Sequence, residues 1–168
     1  CCLVETYPAK HENYDDYLKT LKIAYLYGKT VTLVNTHWPE TNAIMLKNRR
    51  IGLSQSGVVQ AFAKHGRRQV YDWCDKAYDR VQEMDEEYSN WLCIPRSVRM
   101  TSIKPSGSVS LLNGSTPGIH FPESEYYIRR IRFSNTSDML DHLRKAGYNM
   151  EPDAYSPNTT VVEFPVQE

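Results

Sequence analysis

From Arg67 to Leu92 apolar residues recur at steps of three and four: Val70, Trp73, Cys74, Ala77, Val81, Met84, Tyr88 and Trp91. Asp72, Asp75, Asp79, Glu83, Glu86 and Glu87 fall mostly between them. That period suits one face of a helix and no strand, and such a stripe needs an apolar surface to cover it. Cys74 lies on the stripe and reads as a core thiol, while the acidic run Glu83–Glu87 reads as a solvated face. Elsewhere helical and β-suited runs alternate. Asn13 caps a helix reaching about Tyr27, which Gly28 closes, and Thr30–Val34 reads as a strand. Glu40–Leu46 reads as a short helix, Asn48–Ser54 as a strand, and Val58–His65 as a helix capped by Ser56 and stopped by Gly66. Later come a strand over Tyr126–Phe133, a helix from about Ser137 to Ala146, and a strand over Thr160–Val166. The alternation predicts an α/β fold with parallel pairing. No repeat or low-complexity linker interrupts it, so residues 1–168 read as one segment.

Composition excludes several classes. The 20 basic residues balance 20 acidic ones, so no nucleic-acid face and no polybasic membrane patch is expected. No apolar run approaches a membrane span. Cys1, Cys2, Cys74 and Cys93 form no CxxC pair and the five His are scattered, so neither a disulfide scaffold nor a metal site is expected. A reducing, cytoplasmic setting fits. The opening Cys-Cys-Leu-Val-Glu and the closing Val166-Gln167-Glu168 read as cut ends of a longer protein.

The segment Met100–His120, MTSIKPSGSVSLLNGSTPGIH, carries the chemistry. A β-suited run (Val98, Met100, Ser102, Ile103) breaks at Pro105-Ser106-Gly107-Ser108, and Val109, Leu111 and Leu112 open a helix. A strand that delivers a Gly/Ser turn to a helix start aims unpaired backbone N–H groups and two hydroxyls at one spot suited to an anion. Gly107 lets a ligand approach the backbone, and Lys104 adds a mobile positive charge. Ser106 or Ser108 acting as an ordinary N-cap, with no ligand, is the competing reading. The GxxxxGK[ST] spacing of a Walker loop is absent.

Five segments in order now resemble one family: CCLVETYP, THWPETNAIMLKNRRIGLSQSG, TSIKPSGSVSLLNGSTPGIHFP, YYIRRIRFS and VVEFPV. Together they resemble the monomeric, adenosylcobalamin-dependent (class II) ribonucleoside-triphosphate reductases. The resemblance implies the later part of a ten-stranded α/β barrel built from two parallel half-barrels. It implies replacement of a ribonucleotide's 2′-hydroxyl by hydrogen through a thiyl radical that the cobalamin cofactor initiates. The implied partners are a ribonucleoside triphosphate substrate, an allosteric deoxynucleotide and a thioredoxin-like reductant.

By the same resemblance Cys1 takes the place of one member of the reducing cysteine pair, with Cys2 held in reserve against a one-residue slip. The family's Asn-Pro-Cys-x-Glu motif, with the radical cysteine, is not in this chain, so the chain alone is expected to be inactive. Ser106, Gly107, Ser108 and Val109 match the loop that binds the substrate's phosphates, with Thr101, Ser102 and Lys104 as weaker candidates. His120 is a further candidate for the cleft. Arg49 and Arg50 suit phosphates or carboxylates. The reading requires an open turn around Gly107 and Cys1 at the same end of the sheet. A non-catalytic nucleotide-binding module with idle cysteines is the rival reading, and reductases with other radical sources are a third.

Overall fold

The structure, a computed structural model, describes residues 1–167. It divides into two compact units at Phe121–Pro122. In the first unit, strands β1 (Cys2–Thr6) and β2 (Ile51–Gln55) pair in parallel, from Cys2 opposite Ile51 to Thr6 opposite Gln55. Residues 98–102 run along the other edge of β2. Val98 N–H donates to Asn48 O at 3.0 Å, Ile51 N–H to Arg99 O at 2.8 Å and Ser102 N–H to Leu53 O at 2.9 Å. Only Leu53 and Thr101 form a parallel bridge there, so the expected strand over Val98–Ile103 is an irregular one.

Helices α1 (Tyr14–Val31) and α4 (Arg67–Trp91) cover one face of these strands. Tyr17, Leu21 and Tyr25 meet Trp73, Ala77, Val81, Met84 and Tyr88 over Ile51 and Leu53. The stripe in α4 is therefore buried as its period predicts, except that Trp91 is exposed and Cys74 half-buried. Asn13 caps α1 as expected, its side chain accepting from Asp16 N–H at 3.0 Å. The helix does not stop at Gly28. A Cβ there would lie 3.1 Å from Cγ2 of both Val4 and Ile51, so Gly28 admits the strands against the helix rather than ending it. The predicted strand Thr30–Val34 is thereby overturned: Thr30 and Val31 form the last helical turn, the Thr30 hydroxyl donating back to Leu26 O at 2.9 Å.

Helix α2 (Pro39–Asn48) contains the expected short helix and buries none of its residues. Helix α3 (Val58–His65) matches its prediction except at its start, where Gly57 at φ +70° is the N-cap and Ser56 makes no capping bond. The four-residue α5 (Val109–Leu112) follows the Pro105–Ser108 turn.

The second unit holds β3 (Tyr126–Ser134), α6 (Met139–Lys145), β4 (Met150–Pro152) and β5 (Thr159–Gln167). Its sheet order is β3-β5-β4 and both pairings are antiparallel, against the expectation of parallel pairing throughout. The link from β4 to β5 is a tight turn, too short for the crossover that a parallel pair requires. β4 itself, three residues ending in proline, left no strand signal in the sequence.

The acidic run of α4 also departs from expectation, because Asp85 is buried. Its Oδ1 accepts from Lys29 Nζ at 2.6 Å and from the Tyr25 hydroxyl at 2.8 Å, and its Oδ2 from Ser97 N–H at 2.9 Å. Burial works to raise the Asp85 carboxyl, but donors on Lys29, Tyr25 and Ser97 outweigh it and hold the group below the usual carboxylate range. A carboxylate depressed on folding contributes stability that is present above its unfolded pKa and lost as pH falls through the folded value. Acid unfolding followed by aromatic circular dichroism should therefore begin below about pH 4. Asp85→Asn should flatten that limb, and an unchanged limb would place the acid sensitivity elsewhere.

Candidate functional site

Alternation along β1 sorts its side chains. Val4 lies against the Gly28 position of α1 and Thr6 Oγ1 is 3.2 Å from the Tyr17 hydroxyl, so Cys2, Val4 and Thr6 face the helices. Cys1, Leu3 and Glu5 face the other way. Gly52 of β2 lies beneath them: a Cβ on it would meet Leu3 Cδ2 at 2.8 Å, Ser102 Cβ at 3.4 Å and Cys1 Cβ at 3.7 Å. Cys1 and Ser102 thus flank one glycine on the side away from α1 and α4, and Cys1 is exposed. Cys2 lies beside Ile44, Met45 and Arg49 around a cavity of about 130 Å³, which Cys1 also borders.

At the far end of the strands the chain enters the Ser/Gly turn. Lys104 N–H donates to Ser54 Oγ at 3.3 Å, which ties the turn to the end of β2. Ser106 stands at φ +53°, a left-handed conformation that costs a non-glycine residue on the order of 1 kcal/mol. Ser110 holds it there, its N–H and hydroxyl donating to Ser106 O at 3.0 and 2.5 Å. Ser108 holds the N-cap position of α5, but neither its side chain nor that of Ser106 makes a capping bond there. The side-chain cap of the competing reading is thus not formed among the described residues. The N–H groups of Gly107, Ser108 and Val109 find no acceptor among the described residues, and all three residues are exposed. Three consecutive amides without an acceptor among the described residues thus lie exposed next to the Ser106 and Ser108 hydroxyls and Lys104, groups of the kind that bind anions.

The turn Gly114–Gly118 braces this loop. Gly118, at φ +54°, packs so closely that a Cβ would lie 2.3 Å from Lys104 O. Gly118 N–H donates to Ser56 Oγ at 3.0 Å, and Ser56 Oγ donates to Glu5 Oε1 at 2.6 Å. Gly57 N–H donates to Thr116 O at 2.8 Å. The Tyr7 hydroxyl reaches Val109 O at 3.2 Å. Sequence reasoning missed Glu5, Ser54, Ser56 and Ser110, whose partners lie far along the chain; only the glycine in STPGIH hinted at close packing.

Of the weaker candidates, Thr101 is exposed at the bridge to Leu53, and Ser102 flanks Gly52. Lys104 is half-buried, and His120 is exposed just beyond the bracing turn. Arg49 is elsewhere, at the Cys1 end, donating from Nη1 to Thr32 O at 2.6 Å rather than to a carboxylate. Cys1 and the Gly107 turn do not share one end of the sheet. They occupy opposite ends, separated by the length of β1, about 13 Å for its four steps. The expected proximity fails because the turn follows the carboxyl ends of parallel strands whereas Cys1 precedes the amino end of β1.

Among the described residues no helix is long and apolar enough to cross a membrane. Among the described residues no group of three or more His, Cys, Asp or Glu is arranged to hold a metal ion.

No family model matches the chain. A B12-dependent (class II) ribonucleotide reductase of known crystal structure superposes with a TM-score of 0.86 at 31% identity, over 99% of this chain and 27% of that one. The chain thus has the fold of one stretch of a class II ribonucleotide reductase. In sequence it is 51% identical to the adenosylcobalamin-dependent ribonucleoside-triphosphate reductase of Euglena gracilis and 55% identical to a probable one of Dictyostelium discoideum. It is 34% identical to that of Lactobacillus leichmannii. Each match covers 99% of this chain but only 22%, 23% and 26% of the Dictyostelium, Euglena and Lactobacillus proteins. The chain is a homologue of one segment, about a quarter, of the adenosylcobalamin-dependent ribonucleoside-triphosphate reductases.

Proposed function

We propose that residues 1–168 are the later part of the ten-stranded catalytic α/β barrel of an adenosylcobalamin-dependent ribonucleoside-triphosphate reductase. In this reading a ribonucleoside triphosphate lies lengthwise along the face that carries Cys1, Gly52 and Ser102. The free amides of Gly107, Ser108 and Val109 and the hydroxyls of Ser106 and Ser108 hold its phosphates, with Lys104 adding charge. The requirement that thiol and loop share one end of the sheet is not met; instead the nucleotide runs along β1 from the loop to Cys1, about 13 Å. The observation that carries the reading is the set of unpaired donors in an open turn, on a chain homologous along its length to these reductases.

Reduction removes the 2′-hydroxyl as water and puts hydrogen on that carbon, while two thiols are oxidised to a disulfide. Cys1 is one of those thiols; its partner and the radical cysteine belong to the rest of the reductase. Cys1 is exposed and lies on the substrate face, as a thiol must that is to meet both sugar and partner. Cys2, turned toward the helices, is the poorer choice.

Adenosylcobalamin supplies the initiating radical when bound. The cavities beside Cys74 and beside Cys2, about 360 and 130 Å³, are too small for a corrin ring with its nucleotide tail. This segment therefore does not by itself fit the cofactor, and no step is assigned to it through that group. A thioredoxin-like reductant, an allosteric deoxynucleotide and a cytoplasmic setting complete the proposal.

Equilibrium binding of a ribonucleoside triphosphate to the full-length protein tests it. Space around Gly107 is open, so Gly107→Val fits the fold yet shields the amides from a ligand. Combined with Ser108→Ala, it should remove two or three charge-assisted hydrogen bonds and weaken binding by on the order of 2–5 kcal/mol. Unchanged affinity would make the loop a plain helix start.

A further inference from the structure

We infer that Glu5 and Ser56 are positioning residues for the phosphate loop, with β1 acting as the rigid element that relates the loop to the thiol at Cys1. The inference rests on the reading of that loop given above and adds the group that holds it in place.

Ser56 is fully buried, yet it leads into α3 without capping it. Its backbone N–H donates to Thr6 O at 2.9 Å, so its position is set by the end of β1. Its hydroxyl is used twice. It donates to Glu5 Oε1 at 2.6 Å and accepts from Gly118 N–H at 3.0 Å. A hydroxyl polarised by a carboxylate is a better acceptor, so the two bonds strengthen each other away from water. Gly118 in turn lies directly against the Lys104 carbonyl, with no room for a side chain between them. Lys104 N–H is held from the other side by Ser54, which stands opposite Glu5 in the strand register. Pro105 and the anion-facing amides follow at once.

The chain of contact thus runs from Glu5 through Ser56 and Gly118 to Lys104. Glu5 lies in β1 and Cys1 immediately precedes that strand, on the same side of it. A nucleotide held by its phosphates at one end and attacked at its sugar at the other needs that spacing constant. The relay touches no reacting atom; it acts only through the loop.

The test measures binding of a ribonucleoside triphosphate, with KM and kcat, in the full-length reductase carrying Ser56→Ala, Glu5→Ala or Glu5→Gln, beside the Gly107→Val, Ser108→Ala protein. Ser56→Ala and Glu5→Ala should each raise Kd and KM about tenfold while kcat at saturation stays within about threefold. Glu5→Gln keeps an oxygen that accepts from Ser56 and should recover most of the affinity. If the loop protein binds weakly but the Ser56 and Glu5 variants bind normally, the relay is wrong and the loop stands. If the loop protein itself binds normally, the phosphate reading fails first. Glu5→Gln as damaging as Glu5→Ala, or a fall in melting temperature with KM unmoved, would equally overturn the relay.

Discussion

Replacing Cys1 by serine should leave nucleotide binding intact and abolish multiple turnover with a dithiol reductant. Cys1 lies beside Gly52 and Ser102 on the side away from α1 and α4, a full strand length from the loop assigned to phosphates. The substitution therefore removes an electron source without touching the donors that hold substrate. Oxygen is nearly isosteric with sulfur, but a serine cannot close a disulfide. Cys2→Ser should behave differently, because Cys2 faces α1 and α2 and should retain turnover. Steady-state deoxynucleotide formation with a dithiol, alongside equilibrium binding, reads both variants. Undiminished turnover in Cys1→Ser would remove this thiol from the reaction, and loss only in Cys2→Ser would shift the assignment by one residue.

The second large effect concerns the buried pair of Lys29 and Asp85. Asp85→Ala takes the counter-charge from the Lys29 ammonium, which keeps the neutral acceptors Ser97 Oγ at 2.9 Å and Pro95 O at 3.3 Å, and takes the acceptor from the Tyr25 hydroxyl and the Ser97 amide. Breaking such a buried pair costs about 3–5 kcal/mol, a large share of the 5–15 kcal/mol typical of a folded domain. Lys29→Met should cost less, because Asp85 keeps Tyr25 and Ser97 and the methionine fills the space of the lysine stem. Urea midpoints order the two. An Asp85→Ala protein as stable as Lys29→Met would mean that the aspartate is not the hub of this contact.

The difference between these residues and their neighbours illustrates what a linear pattern conveys. Glu83 and Glu86 are exposed and Glu87 half-buried, close to what a charge run on a helix suggests. Asp85 belongs to the same run and is buried, because α1 brings Lys29 opposite it from a distant part of the chain. Thr30 and Val31 show the reverse case. Their β-branched character favours a strand, but the packing of Val4 and Ile51 against Gly28 carries the helix past it. Local preference is worth tenths of a kcal/mol per residue, and burial of a packed face outweighs it.

From the amino-acid sequence alone came the α4 stripe, the Asn13 cap, most helix and strand positions, the exposed Ser/Gly turn before a short helix, and the likeness to class II reductases. These are legible because each depends on neighbours within a turn or two, or on a motif read in order. Tertiary structure decided which face of β1 carries Cys1, that the loop's hydroxyls are not spent on a cap, and that Glu5 and Ser56 brace it through Gly118. It also decided the antiparallel sheet after Pro122 and the opposite placement of thiol and loop. The contacts around the loop depend on partners far along the chain, 48 residues apart for Thr6 and Ser54 and 62 for Ser56 and Gly118. No local period encodes such pairings, because the side chains meet only after the strands have aligned.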